Sequence, residues 1–193
     1  MFFPTDILRA ALHCVAGKSE TREYLKGVYI TPTHIKATDG RALVMMEHGA
    51  DTDIDGVFRV IGDIPDDAEG TLIKTINDHW IAIHVNEDEK TVGHSVLDLI
   101  EGKYPDFNKL LPDEPEPCNE MPMFAADLLA LPHLMFGRNF APVKFKSYGK
   151  GKPCVLTLDP ETNRFYGNPF LVIMPLVDNA FEMYAEVLNE KGL

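Results

Sequence analysis

Apolar and polar positions near the start of the chain repeat with a helical period. Apolar residues recur at intervals of three and four positions, at Ile7, Leu8, Ala11, Leu12 and Val15. This spacing predicts an amphipathic helix that Thr5 or Asp6 can cap and that Gly17 ends. The pattern therefore places one helix before any long run of strands.

From residue 28 to residue 97 the pattern changes to short runs of branched and apolar residues, which are typical of strands. The predicted strands span 28–31, 34–37, 42–46, 57–61, 71–76, 80–85 and 91–97. Turn-forming sequences separate the early strands, and the Asp39-Gly40 pair is the sharpest of these signals. We therefore predict tight antiparallel connections in this part of the chain.

The segment 113–120 differs in kind, because its prolines alternate with acidic residues and cannot continue a sheet. We predict that it is an extended linker. Beyond it the pattern of a helix followed by strands starts again. The predicted elements are a helix over 124–131 that Pro132 limits, and strands at 143–147, 155–158, 164–166 and 170–174.

The end of the chain carries a second amphipathic pattern. A helix over 180–188 would place Phe181, Tyr184, Ala185 and Leu188 on one face. We predict this helix as a separate terminal element.

The chain is acidic. It contains 18 Lys and Arg against 30 Asp and Glu, so the net charge is -12 over 193 residues. This balance argues against a protein that holds nucleic acid over its whole surface, and any DNA contact must come from a local basic patch. The apolar fraction of 45% is sufficient for one substantial core or two small ones.

The cysteines and the N-terminal sequence indicate the compartment. Cys14, Cys118 and Cys154 are odd in number, widely spaced and outside any Cys-x-x-Cys pattern, which is typical of reduced intracellular thiols. The first residues lack the basic and apolar regions of a signal peptide, and no apolar run approaches the roughly 20 residues of a bilayer span. We expect a cytoplasmic protein with no membrane segment.

Signals for catalysis are weak. Gly17-Lys18-Ser19 is similar to the end of a phosphate-binding loop, but Leu12 stands where that loop needs a glycine. His79 and His84 differ by five positions and would lie on opposite faces of a strand. The acidic pairs lie in turn-like stretches, where charges usually keep a loop solvated. We predict no enzyme activity, no metal site and no cofactor.

Three segments far apart in the chain carry the most specific signal. The first contains Arg-Glu-Tyr-Leu-Lys-Gly-Val at 22–28 and Ala-Thr-Asp-Gly-Arg-Ala-Leu at 37–43. The second is Glu-Gly-Lys-Tyr-Pro-Asp-Phe-Asn-Lys-Leu-Leu-Pro at 101–112, and the third is Pro-Phe-Leu-Val-Ile-Met-Pro-Leu at 169–176. Taken singly, they read as a turn, a surface loop and a buried strand. Together and in this order they resemble the bacterial DNA polymerase III beta subunit, the beta sliding clamp.

The resemblance implies an α+β, DNA-clamp-like fold of antiparallel sheets with helices packed on one side, in repeated helix-then-strands units. Residues 1–112 are similar to the middle domain of that clamp, and residues 121–177 are similar to half of its last domain, with the linker 113–120 between them. The family's helix between Ile64 and Leu72 has no counterpart in this sequence, and we predict that residues 178–193 contain an additional amphipathic helix.

The resemblance also implies a pocket that binds short peptide motifs. Its residues here would be Arg22, Leu25, Thr38, Gly40, Leu43, Pro105, Lys109, Leu110, Val172, Ile173, Met174, Pro175 and Leu176. A methionine wall adapts to Leu, Phe or Met side chains of a ligand, and a glycine permits close backbone approach. Arg22 and Lys109 could hold a peptide carbonyl or carboxylate at the rim.

Candidate DNA contacts are few. Family members surround the duplex with basic helix faces that touch phosphates, which is an electrostatic, sequence-independent contact. The candidates here are Arg9 and Lys18 near the first helix, and Lys144 and Lys146 on a predicted strand. The two lysines on the strand have an alternative role, which is to protect a solvated sheet edge.

Two functions are compatible with these features. The leading hypothesis is a DNA sliding clamp, or a clamp-like replication accessory and processivity factor. It would act as a homo-oligomer around double-stranded DNA and tether polymerase or repair proteins. The alternative is a protein that forms no ring and competes with a host clamp for such motifs. In either case the terminal helix could cover the pocket, with Phe181 or Tyr184 imitating a ligand.

Overall fold

The computed structural model describes residues 1–110, 114–116, 121–137 and 142–190, and its backbone forms one antiparallel sheet with four α-helices. The strands are β1 (Phe2–Pro4), β2 (Val28–Ile30), β3 (His34–Thr38), β4 (Ala42–Glu47), β5 (Gly56–Ile61), β6 (Gly70–Ile76), β7 (His79–Val85), β8 (Thr91–Ile100), β9 (Lys144–Ser147), β10 (Cys154–Thr157) and β11 (Phe170–Ile173). The helices are α1 (Thr5–Leu12), α2 (Ala126–Phe136), α3 (Pro160–Phe165) and α4 (Ala180–Glu190). The predicted α+β class is confirmed.

The eleven strands follow the order β1-β6-β7-β8-β5-β2-β3-β4-β11-β10-β9. The pairing of β4 with β11, which sets Leu43 opposite Val172, joins the strands before the predicted linker to those after it. The two predicted clamp-like units therefore share one sheet. Their division at 113–120 remains a prediction, because only 114–116 of that segment are described and the rest lies outside the described residues.

The two faces of the sheet carry different cores, because successive side chains of a strand point to opposite faces. The larger core lies under α1 and α2 and includes Leu8, Val44 and Ile173, all with 0% exposure. The smaller core on the other face is partly aromatic. Its buried members are Leu43, Val57, Tyr104, Phe107 and Val172. This second core supports the candidate site.

Helix α1 begins directly after β1 and is shorter than predicted. Pro4 occupies its N-cap position, and neither Thr5 nor Asp6 caps it with a side chain, so that part of the prediction is wrong. The Thr5 hydroxyl is instead hydrogen-bonded to the hydroxyl of Thr71 at 2.9 Å, because Thr5 is completely buried against β6. The helix ends at Leu12, five residues before Gly17.

Helix α2 passes through Pro132 and continues to Phe136, so the predicted limit at Pro132 is wrong. Proline removes one backbone donor and is unfavourable inside a helix. The residues on both sides of it are held by burial, since Leu128, Leu131 and Met135 all pack in the larger core. Tertiary packing therefore outweighs the local preference, and Gly137 ends the helix in the left-handed conformation, with φ +59°.

Residues 160–165 form helix α3, so the predicted strand at 164–166 is wrong. Asp159 caps this helix by accepting hydrogen bonds from the backbone N–H groups of Glu161 and Thr162, at 3.0 and 3.1 Å. Pro160 occupies the first turn, where the missing N–H costs nothing. The connection from β10 to β11 therefore contains a helix.

No helix lies between β5 and β6, as predicted, and residues 62–69 form an irregular loop in its place. The Arg9 guanidinium holds this loop by donating hydrogen bonds to the carbonyl oxygens of Pro65, Asp66 and Ala68, the last at 2.9 Å. The same guanidinium pairs with Asp6 of its own helix. Arg9 thus has a structural role in the described chain.

Helix α4 forms where the terminal helix is predicted, and it has 11 residues. Its large apolar side chains are exposed, with Phe181 at 76% and Tyr184 at 64%. None of the helices in the described ranges is long and apolar enough to cross a membrane.

The described cysteines are free and buried. Burial raises the pKa of the Cys14 thiol to about 12, with a further contribution from the charge of Asp39. Burial also raises the pKa of the Cys154 thiol. Both groups are therefore neutral thiols at neutral pH. Cys118 lies outside the described residues.

Candidate peptide-binding site

A cavity of about 340 Å³ opens where β3 and β11 end and β4 begins, on the side of the sheet that carries the smaller core. It is lined by Arg22, Leu25, Thr38, Gly40, Arg41, Ala42, Leu43, Pro105, Leu110, Gly151, Lys152, Pro153, Val172 and Met174. These residues come from five separate stretches of the chain. The sheet topology brings them together, since β4 lies between β3 and β11.

The apolar wall of the cavity follows from the pairing of β4 with β11. Leu43 and Val172 are direct cross-strand neighbours, so their side chains point to the same face. Met174 lies just beyond the end of β11, where its backbone N–H donates to the carbonyl oxygen of Arg41 at 2.7 Å. Its side chain is 37% exposed and therefore forms a wall that a ligand can reach.

The turn between β3 and β4 forms the mouth of the cavity. The Thr38 hydroxyl donates to the carbonyl oxygen of Ala42 at 2.6 Å and accepts the N–H of Gly40 at 3.0 Å. The Asp39 carboxylate accepts the N–H groups of Arg41 and Ala42, at 2.7 and 2.8 Å. These bonds hold the turn in one shape, as is usual for Asp in this position.

Gly40 has a positive φ of +89°, a conformation that glycine adopts without strain. A Cβ at this position would lie 3.2 Å from a guanidinium nitrogen of Arg22. The glycine therefore keeps the space between the turn and Arg22 open.

The rim of the cavity carries two guanidinium groups, each paired with a carboxylate. The Arg22 guanidinium forms two hydrogen bonds to the carboxylate of Glu20, at 3.0 and 2.9 Å. These bonds raise the pKa of Arg22 and lower the pKa of Glu20 to about 2. Arg41 pairs with Asp39 and, at 2.9 Å, with Asp127 of α2. Lys152 is also exposed at the rim.

The structure brings nine of the thirteen predicted pocket residues into this cavity, and four lie elsewhere. Ile173 is completely buried in the larger core, because it follows Val172 in a strand and must point to the opposite face. Lys109 is exposed and pairs with Asp106 at 3.7 Å. Pro175 and Leu176 line a neighbouring cavity.

The five lining residues outside the predicted set have two origins. Arg41 and Ala42 lie within the segment 37–43 that identified the turn, so the sequence contained the signal. Gly151, Lys152 and Pro153 lie between β9 and β10. They reach the cavity only because β10 pairs with β11, a long-range contact that no local pattern indicates.

The neighbouring cavity has a volume of about 320 Å³ and continues from the first. Gly151 lines both of them, and the chain that leaves Met174 runs along the second one. The backbone N–H of Leu176 donates to the carbonyl oxygen of Met123 at 2.7 Å, and Lys150 pairs with Asp178 at 2.6 Å. These contacts fix the direction of the chain toward α4.

The four candidate DNA contacts do not form one surface. Arg9 lies on α1 and is engaged with the loop 62–69, and Lys18 is exposed after the same helix. Lys144 and Lys146 are exposed on the edge strand β9, on the opposite side of the sheet from Phe145, which packs in the larger core under α1 and α2. Their role in DNA contact remains a prediction.

The described residues that line the main cavity include no carboxylate, imidazole or thiol. Within the described ranges, no group of three or more His, Cys, Asp or Glu side chains is placed to hold a metal ion. The cavity has an apolar interior and basic side chains at its rim.

Comparison with solved structures shows the fold. The chain is similar to the DNA polymerase sliding clamp of Bacillus subtilis (14% identity, 91% of this chain and 63% of that chain, TM-score 0.58). It is also similar to the DNA polymerase III subunit beta of Pseudomonas aeruginosa, with 14% identity over 92% of this chain and 65% of that chain and a TM-score of 0.57. A third similar structure is a putative DNA polymerase III beta subunit of Eubacterium rectale, with 12% identity over 91% of this chain and 65% of that chain and a TM-score of 0.59. No family model matches the sequence, and no curated protein matches it.

The fold is that of a DNA clamp. More particularly, it is the fold of the bacterial DNA polymerase III beta sliding clamp, as the sequence motifs predict. The chain spans a little less than two thirds of the length of the clamps that it matches.

Proposed function

We propose that this protein is a clamp-like DNA replication accessory protein of the cytoplasm that binds short motifs of polymerase or repair proteins and has no catalytic activity. One observation carries the proposal. Motifs from three distant segments, chosen from sequence resemblance to the beta clamp, supply nine residues to one apolar cavity on a clamp fold. Such convergence is the expected geometry of a binding site.

The composition of the cavity supports a ligand with apolar anchors. Leu43, Val172 and Met174 form an apolar wall, and about 340 Å³ is space for one or two large aliphatic or aromatic side chains. The cations at the rim, Arg22 and Arg41, favour a ligand that presents a backbone carbonyl or a carboxylate beside its apolar anchors. An extended peptide with a Gln-x-x-Leu-Phe motif meets both requirements.

Titration of a fluorescent Gln-x-x-Leu-Phe peptide tests the proposal. We expect micromolar affinity, near -8 kcal/mol, and a loss of about tenfold in Met174→Ala, because the ligand loses one apolar wall. Met174 is partly exposed, so the variant should fold. Fluorescence anisotropy measures both dissociation constants.

Leu134→Ala is the matched control, since it removes a side chain that is 51% exposed on α2, away from the cavity. It should bind the peptide like the unchanged protein. If the unchanged chain binds no peptide, or if both variants bind equally well, the proposed peptide site is wrong.

The proposed role on DNA rests on the clamp fold alone. A homo-oligomeric ring around double-stranded DNA would hold partners close to their template, which is the basis of processivity. The alternative function is a protein that forms no ring and competes with a host clamp for the same motifs. The placement of the basic residues favours this alternative, because Lys144 and Lys146 lie on the opposite side of the sheet from α1.

Mass in solution and retention on DNA separate the two functions. A ring requires several copies of the chain and salt-resistant retention on circular DNA, with escape from linear DNA. We expect both if the clamp function is correct. A monomer that binds the peptide but is retained on neither DNA would establish the competitor function.

A further inference from the structure

We infer that α4 extends the binding groove, so that a partner anchored in the main cavity also packs an apolar and basic flank of its motif against α4. This inference rests on the proposed function, because it describes the partner of the same site. The apolar face of α4 consists of Phe181, Tyr184, Ala185 and Leu188, which recur at intervals of three and four positions.

The exposure of α4 indicates that a partner covers it. Phe181 and Tyr184 of the apolar face are 76% and 64% exposed. An isolated helix of about this length is marginal in water, and most helices obtain their stability from packing of an apolar face. Contiguous exposed apolar surface of this kind marks an interaction site.

The path of the chain connects α4 to the groove. Met174 lines the main cavity, Leu176 and Asp178 line the neighbouring one, and α4 begins at Ala180. Met121 and Val177, which are 70% and 59% exposed, continue the apolar surface along this path. A peptide that leaves the main cavity past Gly151 therefore meets α4 next.

The charge of α4 defines the occupant. The helix carries Glu182 and Glu186 in its described polar face and contains no lysine or arginine. DNA is unfavourable beside it, because phosphates and these carboxylates repel each other. Packing of α4 against the α4 of a second copy brings like charges together. A peptide flank with apolar and basic residues can pack on the apolar face of the helix and pair with the glutamates of its polar face.

The structure also favours extension of the groove over closure of it. None of the described side chains of α4 lines either cavity. The hydrogen bond from Leu176 to Met123 and the ion pair between Lys150 and Asp178 direct the chain away from the main cavity. A fold in which Phe181 fills the main cavity would require these contacts to break.

Binding of matched peptides tests the inference. The short probe is a fluorescent Gln-x-x-Leu-Phe peptide. Two long probes add a flank of about 12 residues with Leu and Lys at helical spacing, before the motif in one and after it in the other. A fourth probe is the tighter-binding of these two long probes with each Lys of its flank replaced by Glu. We expect one long Lys probe to bind at least tenfold tighter than the short probe, and the Glu probe to lose that gain.

The double variant Phe181→Ala with Tyr184→Ala should lose the gain of the long probe and leave the affinity for the short probe unchanged. Met183→Ala is the matched control, because it removes an exposed side chain of α4 outside the apolar face. It should retain most of the gain.

Three outcomes overturn the inference. Equal affinity for all probes would show that α4 is not part of the groove. An equal gain with the Glu flank would exclude a basic partner. Tighter binding of the short probe by the double variant would show that α4 competes with ligands. Failure of the proposed function is distinct, because the short probe then does not bind the unchanged protein at all.

Discussion

Gly167→Ala is expected to lower the free energy of unfolding by about 3 kcal/mol or more. The substitution strains a backbone in the left-handed conformation and also introduces a steric overlap. Gly167 lies between α3 and β11 with a φ of +64°. A Cβ atom on residue 167 would overlap with the carbonyl oxygen of Glu47 and would lie 2.7 Å from the carbonyl carbon of the same residue. The Gly167 carbonyl oxygen accepts the N–H of Glu47 at 2.7 Å, so neither backbone can withdraw without loss of that bond.

Gly49→Ala is the matched control for this prediction. Gly49 has a φ of +68°, but a Cβ added to it meets nothing within 4 Å. Its replacement should cost about 1 kcal/mol, which is the strain of the left-handed conformation alone. Urea unfolding followed by circular dichroism measures both variants. Equal stability of the two would mean that the contact between Gly167 and Glu47 is not rigid.

The strands β2 to β8 could be predicted because their signals are local, whereas the three-residue strand β1 was not predicted. The runs at 34–37 and 42–46 flank Asp39-Gly40, and the structure has β3 and β4 on either side of that turn. Alternation along each strand needs no information from distant residues. The boundaries of these strands in the structure differ from the predicted ones by at most three residues.

The errors have two different causes. The α3 helix has a local start signal, Asp159 followed by Pro160 and Glu161, which the prediction of a strand at 164–166 overlooks. The continuation of α2 past Pro132 has no such signal. It depends on burial of Leu131 and Met135 against the larger core, and a local pattern contains no information about that contact.

The site could be predicted in part for related reasons. The motif residues Leu43 and Val172 lie opposite each other in one sheet, and the clamp resemblance was sufficient to place them together. Ile173 could have been excluded from the sequence alone, since it adjoins Val172 in a strand. Lys152 could not have been included, because its position depends on the order of β9, β10 and β11.

His84→Ala is expected to lower the free energy of unfolding by about 3 kcal/mol at pH 7.5. The His84 ring is completely buried between β6 and β8, where its Nδ1 is hydrogen-bonded to the Thr71 hydroxyl at 3.1 Å and its Nε2 to the Ser95 hydroxyl at 2.9 Å. Thr71 continues this chain to Thr5 of α1. Truncation leaves a cavity and deprives the buried Ser95 hydroxyl of its partner.

The same histidine should make stability depend on pH. Burial lowers the pKa of His84 below its ordinary value of 6.5, and the charges of Arg9 and His94 lower it further. The unfolded chain therefore binds a proton at this ring more readily than the folded chain does. The free energy of unfolding should fall as pH drops below about 6.5, by at most about 1.4 kcal/mol per pH unit for this group.

Urea unfolding at pH 7.5 and pH 5.5 measures both effects. His79→Ala is the matched control, because His79 is exposed in the same strand, and it should leave the stability at pH 7.5 unchanged. His84→Ala should have a smaller fall between the two pH values than the unchanged protein has. An unchanged fall would assign the pH dependence to other groups, such as His13 and His34, whose pKa burial also lowers. His84 lies on the same face of β7 as Ala82 of the larger core and does not line the main cavity, so folded His84→Ala should bind the short peptide normally at pH 7.5.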